Sequence, residues 1–112
     1  ELVGEPAALQ AVFAAILRER PDGVIVVADS LAAKHSTRIG EFAVRNRLPA
    51  MAAFRDIVAD GGLISYGGDY QEGWRVAARY VDRILKGAKP ADLPVEQPTK
   101  FHLVINLNES AT

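Results

Sequence analysis

The chain has 112 residues, 13 basic and 14 acidic, for a formal net charge of −1, and 49% of it is hydrophobic. That is the length of one domain with a real core, and the near-neutral balance carries no basic stripe of the kind a nucleic-acid binder needs. There is no cysteine, so disulfides, thiol catalysis and cysteine-held metals are excluded, and no apolar run approaches the length of a membrane-crossing helix.

Leu9, Val12, Phe13, Ile16 and Leu17 recur at the three- and four-residue steps of one helix face. Pro6 suits the first turn of that helix, and Pro21-Asp22-Gly23 ends it. Residues 24–27 are continuously apolar and predict a strand buried on both faces. Asp29 and Ser30 follow as loop or N-cap residues. A second helix is predicted over about 32–46, with Ile39, Phe42 and Ala43 on its apolar side. Residues 48–54 predict a second strand, with Pro49 tolerated at its start. Residues 55–60 predict a short helix that Gly61-Gly62 ends, and 63–66 a third strand leading into Gly67-Gly68-Asp69.

The clearest helix follows. Trp74, Ala77, Ala78, Val81, Ile84 and Leu85 share one face, Arg75, Arg79, Asp82, Arg83 and Lys86 take the others, and Gly87 stands at the C-terminal cap position. Trp74 is therefore expected in a core or an interface. Residues 89–98 carry three prolines and are expected to be extended and irregular. Residues 101–106 predict a last strand, and from Asn108 a further capped helix begins. With no initiator methionine at Glu1 and a helix starting at the other end, the chain reads as a piece of a longer polypeptide, with a processed mature protein as the alternative. Strands alternating with helices imply an α/β fold on a parallel sheet with right-handed crossovers.

Ligands of open parallel sheets bind beyond the carboxyl ends of the strands. That rule places Asp29 and Ser30, Phe54 and Arg55, and Ser65, Tyr66, Gly67 and Asp69 on one edge, a mixed polar and aromatic lining suited to a small organic solute. Each also has a plain structural role open to it. Asp29 and Asp69 suit helix caps, Arg55 a solvated helix start, Tyr66 strand packing, and the glycines a turn. Other chemistry fits poorly. Neither Gly61-Gly62 nor Gly67-Gly68 completes a dinucleotide or phosphate-loop motif. His35 and His102 lie outside metal-ligand spacing. Asp29, Ser30 and His35 cluster in one loop without a nucleophile elbow. No cofactor and no enzymatic activity are expected. A flavodoxin-like regulatory or enzymatic domain is the alternative, although a phospho-acceptor site would want a lysine where Ser65-Tyr66 stand.

From Tyr80 to Asn106, and most specifically through Lys86-Gly87-Ala88-Lys89-Pro90 and on to the Phe101–Asn106 segment, the chain resembles ABC transporter substrate-binding proteins of the group that includes tryptophan- and tyrosine-binding components. Leu48-Pro49 and the Gly61–Gly67 stretch fit the same family. The resemblance implies a type I periplasmic-binding fold, two α/β lobes joined by hinge strands with ligand between them. Residues 1–112 would form one lobe of it, a three-layer parallel sheet, with 88–112 the linker and strand returning toward the hinge and the N-terminal lobe absent. It further implies a small amino-acid-like or aromatic ligand, ABC permease subunits as partners of the full-length protein, and a periplasmic or lipid-anchored extracytoplasmic location. Ser65-Tyr66-Gly67 matches the family motif, whereas Asp29-Ser30 and Phe54-Arg55 occupy matching places with less typical residues. Loss of one lobe would bare apolar surface, so self-association of the piece is expected.

Overall fold

The computed structural model describes residues 6–110. Its elements are α1 (Pro6–Glu19), β1 (Val24–Val26), α2 (Ser30–Lys34), α3 (Ser36–Arg45), β2 (Ala50–Ala52), α4 (Asp56–Ala59), β3 (Ile64–Gly68), α5 (Tyr70–Leu85), β4 (Phe101–Ile105) and α6 (Leu107–Ser110), with a 3-10 turn at Pro90–Asp92. The chain is a mixed α/β fold on a mostly parallel four-stranded sheet in the order β1-β2-β3-β4. The described residues divide into two compact units, one of residues 6–67 with 103–110 and the other of residues 68–102.

In the first unit, β1 and β2 pair in parallel with Val26 opposite Ala52, and β2 and β3 pair in parallel with Ala52 opposite Ser65. The core lies on one sheet face. Leu9 of α1, Ile39 of α3 and Ile57 of α4 pack with Ala52 and Phe54, and Phe13, Val26, Ala32 and Val58 lean against them. Right-handed crossovers from β1 to β2 and from β2 to β3 carry their connecting helices to the same side, which explains why α3 and α4 share this core. The Phe13 and Phe42 rings stack with centroids 4.0 Å apart and fix α1 against α3.

The opposite face corrects the expectation for the first strand. Ile25 and Val27 are each 78% exposed, while Val24 and Val26 are half-buried. A continuous apolar run gives no phase, so it cannot reveal that helices of this unit cover only one face.

The predicted second helix is two helices. At His35 (φ −105°, ψ 19°) the first turn stops and α3 starts. Ser36 is buried there, and its hydroxyl donates to Asp60 Oδ2 at 2.5 Å, with Thr37 Oγ1 3.3 Å from Oδ1. That anchor fixes the start of α3 to the end of α4 and sets its direction independently of α2. Gly40 lets the two elements meet, since a Cβ there would lie 2.1 Å from the Asp60 carbonyl oxygen.

β4 runs opposite to its neighbour. The Leu63 carbonyl, at the start of β3, accepts from the Asn106 amide, and the Asp69 amide, past its end, donates to the Lys100 carbonyl. The irregular stretch before β4, with no crossover helix after α5, permits this direction. The proline-rich segment is irregular as expected, apart from a short 3-10 turn at Pro90–Asp92.

In the second unit, α5 has no buried residue, and Trp74 is 75% exposed. The helix meets its own unit through the side that carries Tyr80, whose hydroxyl donates to the Pro94 carbonyl, and through Val76 beside Pro98. The expected apolar face of Trp74, Val81 and Leu85 points elsewhere, so the expected burial of Trp74 is not met within the unit. Gly87 takes φ +106° at the end of α5, the left-handed cap expected of it.

Candidate functional site

β1 and β2 end level with each other at Val26 and Ala52, while β3, opposite them at Ser65, runs on to Gly68. Because Val26, Ala52 and Ser65 lie in one row, the segments just beyond them (27–30, 53–55 and 66–67) emerge on the same edge of the first unit. This is the edge where an open parallel sheet binds ligands.

The individual residues divide into two groups. Asp29 is exposed and N-caps α2, its Oδ1 accepting from the Ala32 amide at 2.6 Å, and Ser30 is exposed as the first residue of that helix. Arg55 is exposed at the start of α4 and makes no ion pair among the described residues. Tyr66 is 51% exposed. Gly67 closes the first unit's share of β3. Phe54 and Ser65, by contrast, turn inward. Phe54 is 5% exposed and belongs to the core, and Ser65 is 2% exposed. Of the two aromatic residues expected at the edge, Tyr66 is the exposed one.

Asp69 belongs to the second unit and is fully engaged there. Its Oδ1 accepts from the amides of Gln71 (2.9 Å) and Glu72 (3.2 Å), capping α5, and its Oδ2 lies 3.1 Å from His102 Nε2. The bond to His102 first, then the Glu72 and Gln71 amides, hold its carboxyl below the ordinary aspartate range against a smaller opposing effect of desolvation. The sequence identified the cap but not the histidine. Thirty-three residues separate the pair, and no local pattern marks such a partnership.

An apolar groove of 540 Å³ runs along β1 between α1 and α2, with Asp29 and Ser30 at its margin. Apart from those two and His35 its lining is aliphatic and aromatic. It offers few of the convergent polar groups that orient a charged solute, and it follows β1, an end strand of the sheet. The edge with Arg55 and Tyr66 is the better-equipped surface. Among the described residues no three His, Asp or Glu side chains gather as a metal would require, and no helix is long and apolar enough to cross a membrane.

A family profile for ABC transporter substrate binding proteins matches residues 5–111. The crystal structure of a conserved domain protein from Vibrio cholerae O1 biovar El Tor str. N16961 is similar at 28% identity with a TM-score of 0.83. The match covers 94% of this chain and 35% of that one, so the chain spans about a third of its solved relative. No curated protein matches it. A match over nearly every residue, on an α/β fold, makes the chain a member of the ABC transporter substrate-binding protein family, whose members bind and do not catalyse.

Proposed function

We propose that this chain is one ligand-binding lobe of the substrate-binding component of an ABC importer. The whole protein would hold a small amino-acid-like or aromatic solute in the cleft between this lobe and another. The observation that supports the reading is the shared row of Val26, Ala52 and Ser65, after which the exposed Asp29 and Ser30, Arg55 and Tyr66 follow on three neighbouring strands.

Each residue has a chemical part in this reading. The guanidinium of Arg55 presents paired donors that match a carboxylate. The Tyr66 ring offers an apolar face to the body of the solute. Asp29 and Ser30 supply acceptors and a hydroxyl for a ligand ammonium group. Phe54, Ser65 and Gly67 shape the wall from behind, and Asp69 secures the start of α5.

Solute bridging two lobes would favour the closed arrangement by its greater affinity for that state. The closed form would then be presented to permease subunits, at an extracytoplasmic location. In the isolated chain, the exposed Ile25 and Val27 favour self-association.

The test is a thermal-shift screen of the two-lobed polypeptide against the twenty amino acids and a set of aromatic acids. A true solute at a hundred times its Kd should stabilise the protein by about 2.7 kcal/mol. Arg55→Ala should reduce the effect of any carboxylate-bearing hit. The absence of a shift across the panel would refute the reading.

A further inference from the structure

The solute-binding reading leaves open how the edge keeps its shape, and Gly67 supplies an answer. A Cβ built on Gly67 would lie 2.0 Å from the Ala53 carbonyl oxygen, 2.9 Å from the carbonyl carbon and 3.3 Å from the Ala53 Cα. All three are backbone atoms, so no side-chain rotation can relieve the overlap. The conformation at Gly67 is not left-handed, and the position therefore needs glycine for space and not for its φ. At the next residue, Gly68, a Cβ would meet nothing closer than the Pro98 side chain at 3.7 Å, an ordinary contact. The close approach is thus particular to Gly67.

Ala53 and Gly67 each adjoin a residue of the edge. Ala53 precedes Phe54, whose ring is locked in the core, and Arg55 follows at once. Gly67 directly follows Tyr66. Main chain therefore meets main chain where β2 and β3 deliver their two exposed functional side chains.

Resting on the reading above, we propose that Gly67 is a positioning residue. By admitting the Ala53 carbonyl against its own backbone, it sets the separation between the Arg55 guanidinium and the Tyr66 ring, and so the length of solute that can engage both. A methyl group at this position must open the two strand ends by about 1 Å, more than a preorganised site tolerates, and a misfit of that size costs about tenfold or more.

The experiment uses the two-lobed polypeptide and the tightest-binding member of the amino-acid and aromatic-acid panel as probe. Affinity is measured calorimetrically for wild type, Gly67→Ala and Gly40→Ala. Gly40→Ala creates an equally severe backbone overlap, 2.1 Å from the Asp60 carbonyl oxygen, away from the edge. Gly67→Ala should lose affinity at least tenfold per folded molecule, and Gly40→Ala should stay within twofold. Wild-type affinity in Gly67→Ala, or an equal loss in Gly40→Ala, would overturn the proposal.

If no solute binds, the binding reading falls and the positioning claim is decided separately by ligand-free amide NMR. Shifts centred on residues 54–55 and 66 in Gly67→Ala support it, and their absence overturns it. Should Gly67→Ala not fold, native-state hydrogen exchange of the wild type decides. One shared opening for residues 54–56 and 66–67 supports the clamp, and independent openings overturn it.

Discussion

Truncating Phe54 to alanine separates a core role from a ligand-contact role at the candidate edge. The ring is 5% exposed and packs with Leu9, Ile39, Ala52 and Ile57, the last of which is fully buried. Its removal leaves a cavity among groups carried by α1, α3, β2 and α4, none of which can collapse without dragging its neighbours. The expected cost is about 3–5 kcal/mol, against a total stability of about 5–15 kcal/mol for a domain. Urea unfolding followed by far-UV circular dichroism should show a much lower midpoint with the slope unchanged. Phe54→Leu, which keeps most of the apolar volume, should lose distinctly less. The molecules that remain folded should still bind solute, because the ring faces away from it. A loss below about 1 kcal/mol, within the range of ordinary substitutions, together with abolished binding, would refute the assignment and return Phe54 to the ligand surface.

Three further outcomes follow from other parts of the chain. Gly40→Ala should destabilise by about 1–3 kcal/mol through overpacking of α3 against the end of α4, read as a lowered thermal midpoint. Ser36→Ala should cost about 1 kcal/mol by removing the buried hydroxyl that Asp60 accepts from, measured by the same unfolding assay. Asp69 has a folded-state pKa below its unfolded value. Its contribution to stability is therefore present above the unfolded value of about 3.9 and is lost as pH falls through the folded one. Protection against amide exchange in the first turn of α5, taken relative to the intrinsic rate at each pH, should fall over that acid range in wild type, and Asp69→Asn should remove this pH dependence.

Much of the fold was legible because local patterns and tertiary structure agree. The periodicity of α1 and α5, the caps at Asp29 and Asp69 and the left-handed Gly87 are decided by residues within a few positions of one another. What the sequence hid depends on distant partners. The break at His35 follows from Ser36 reaching Asp60, twenty-four residues away. The bare face of β1 follows from which side the crossover helices take, and four consecutive apolar residues carry no record of it. The reversed direction of β4 arises from a connection with no helical period. At the candidate site, the rule of strand ends groups these segments on one edge but does not tell which residues there face outward.

That last distinction follows from the phase of the sheet. Side chains alternate along a strand, and the row formed by Val26, Ala52 and Ser65 faces the helices. Counting on from Ala52 by two reaches Phe54, which the alternation sends into the core even though β2 has ended. Counting by one from Ser65 reaches Tyr66, which it sends out. Ala50, Ala52, Phe54 and Ser65 are all buried, while Met51, Ala53 and Ile64 are half-buried and Arg55 and Tyr66 exposed. The same parity that packs the core thus sends Tyr66 outward, and it could have been applied to the sequence had the register been known, whereas Arg55, with helical backbone angles (φ −67°, ψ −24°), is exposed by its place at the start of α4. Register is the missing information, and Gly67 is where it becomes physical, because only a residue without a side chain lets the end of β3 lie against Ala53 at this spacing.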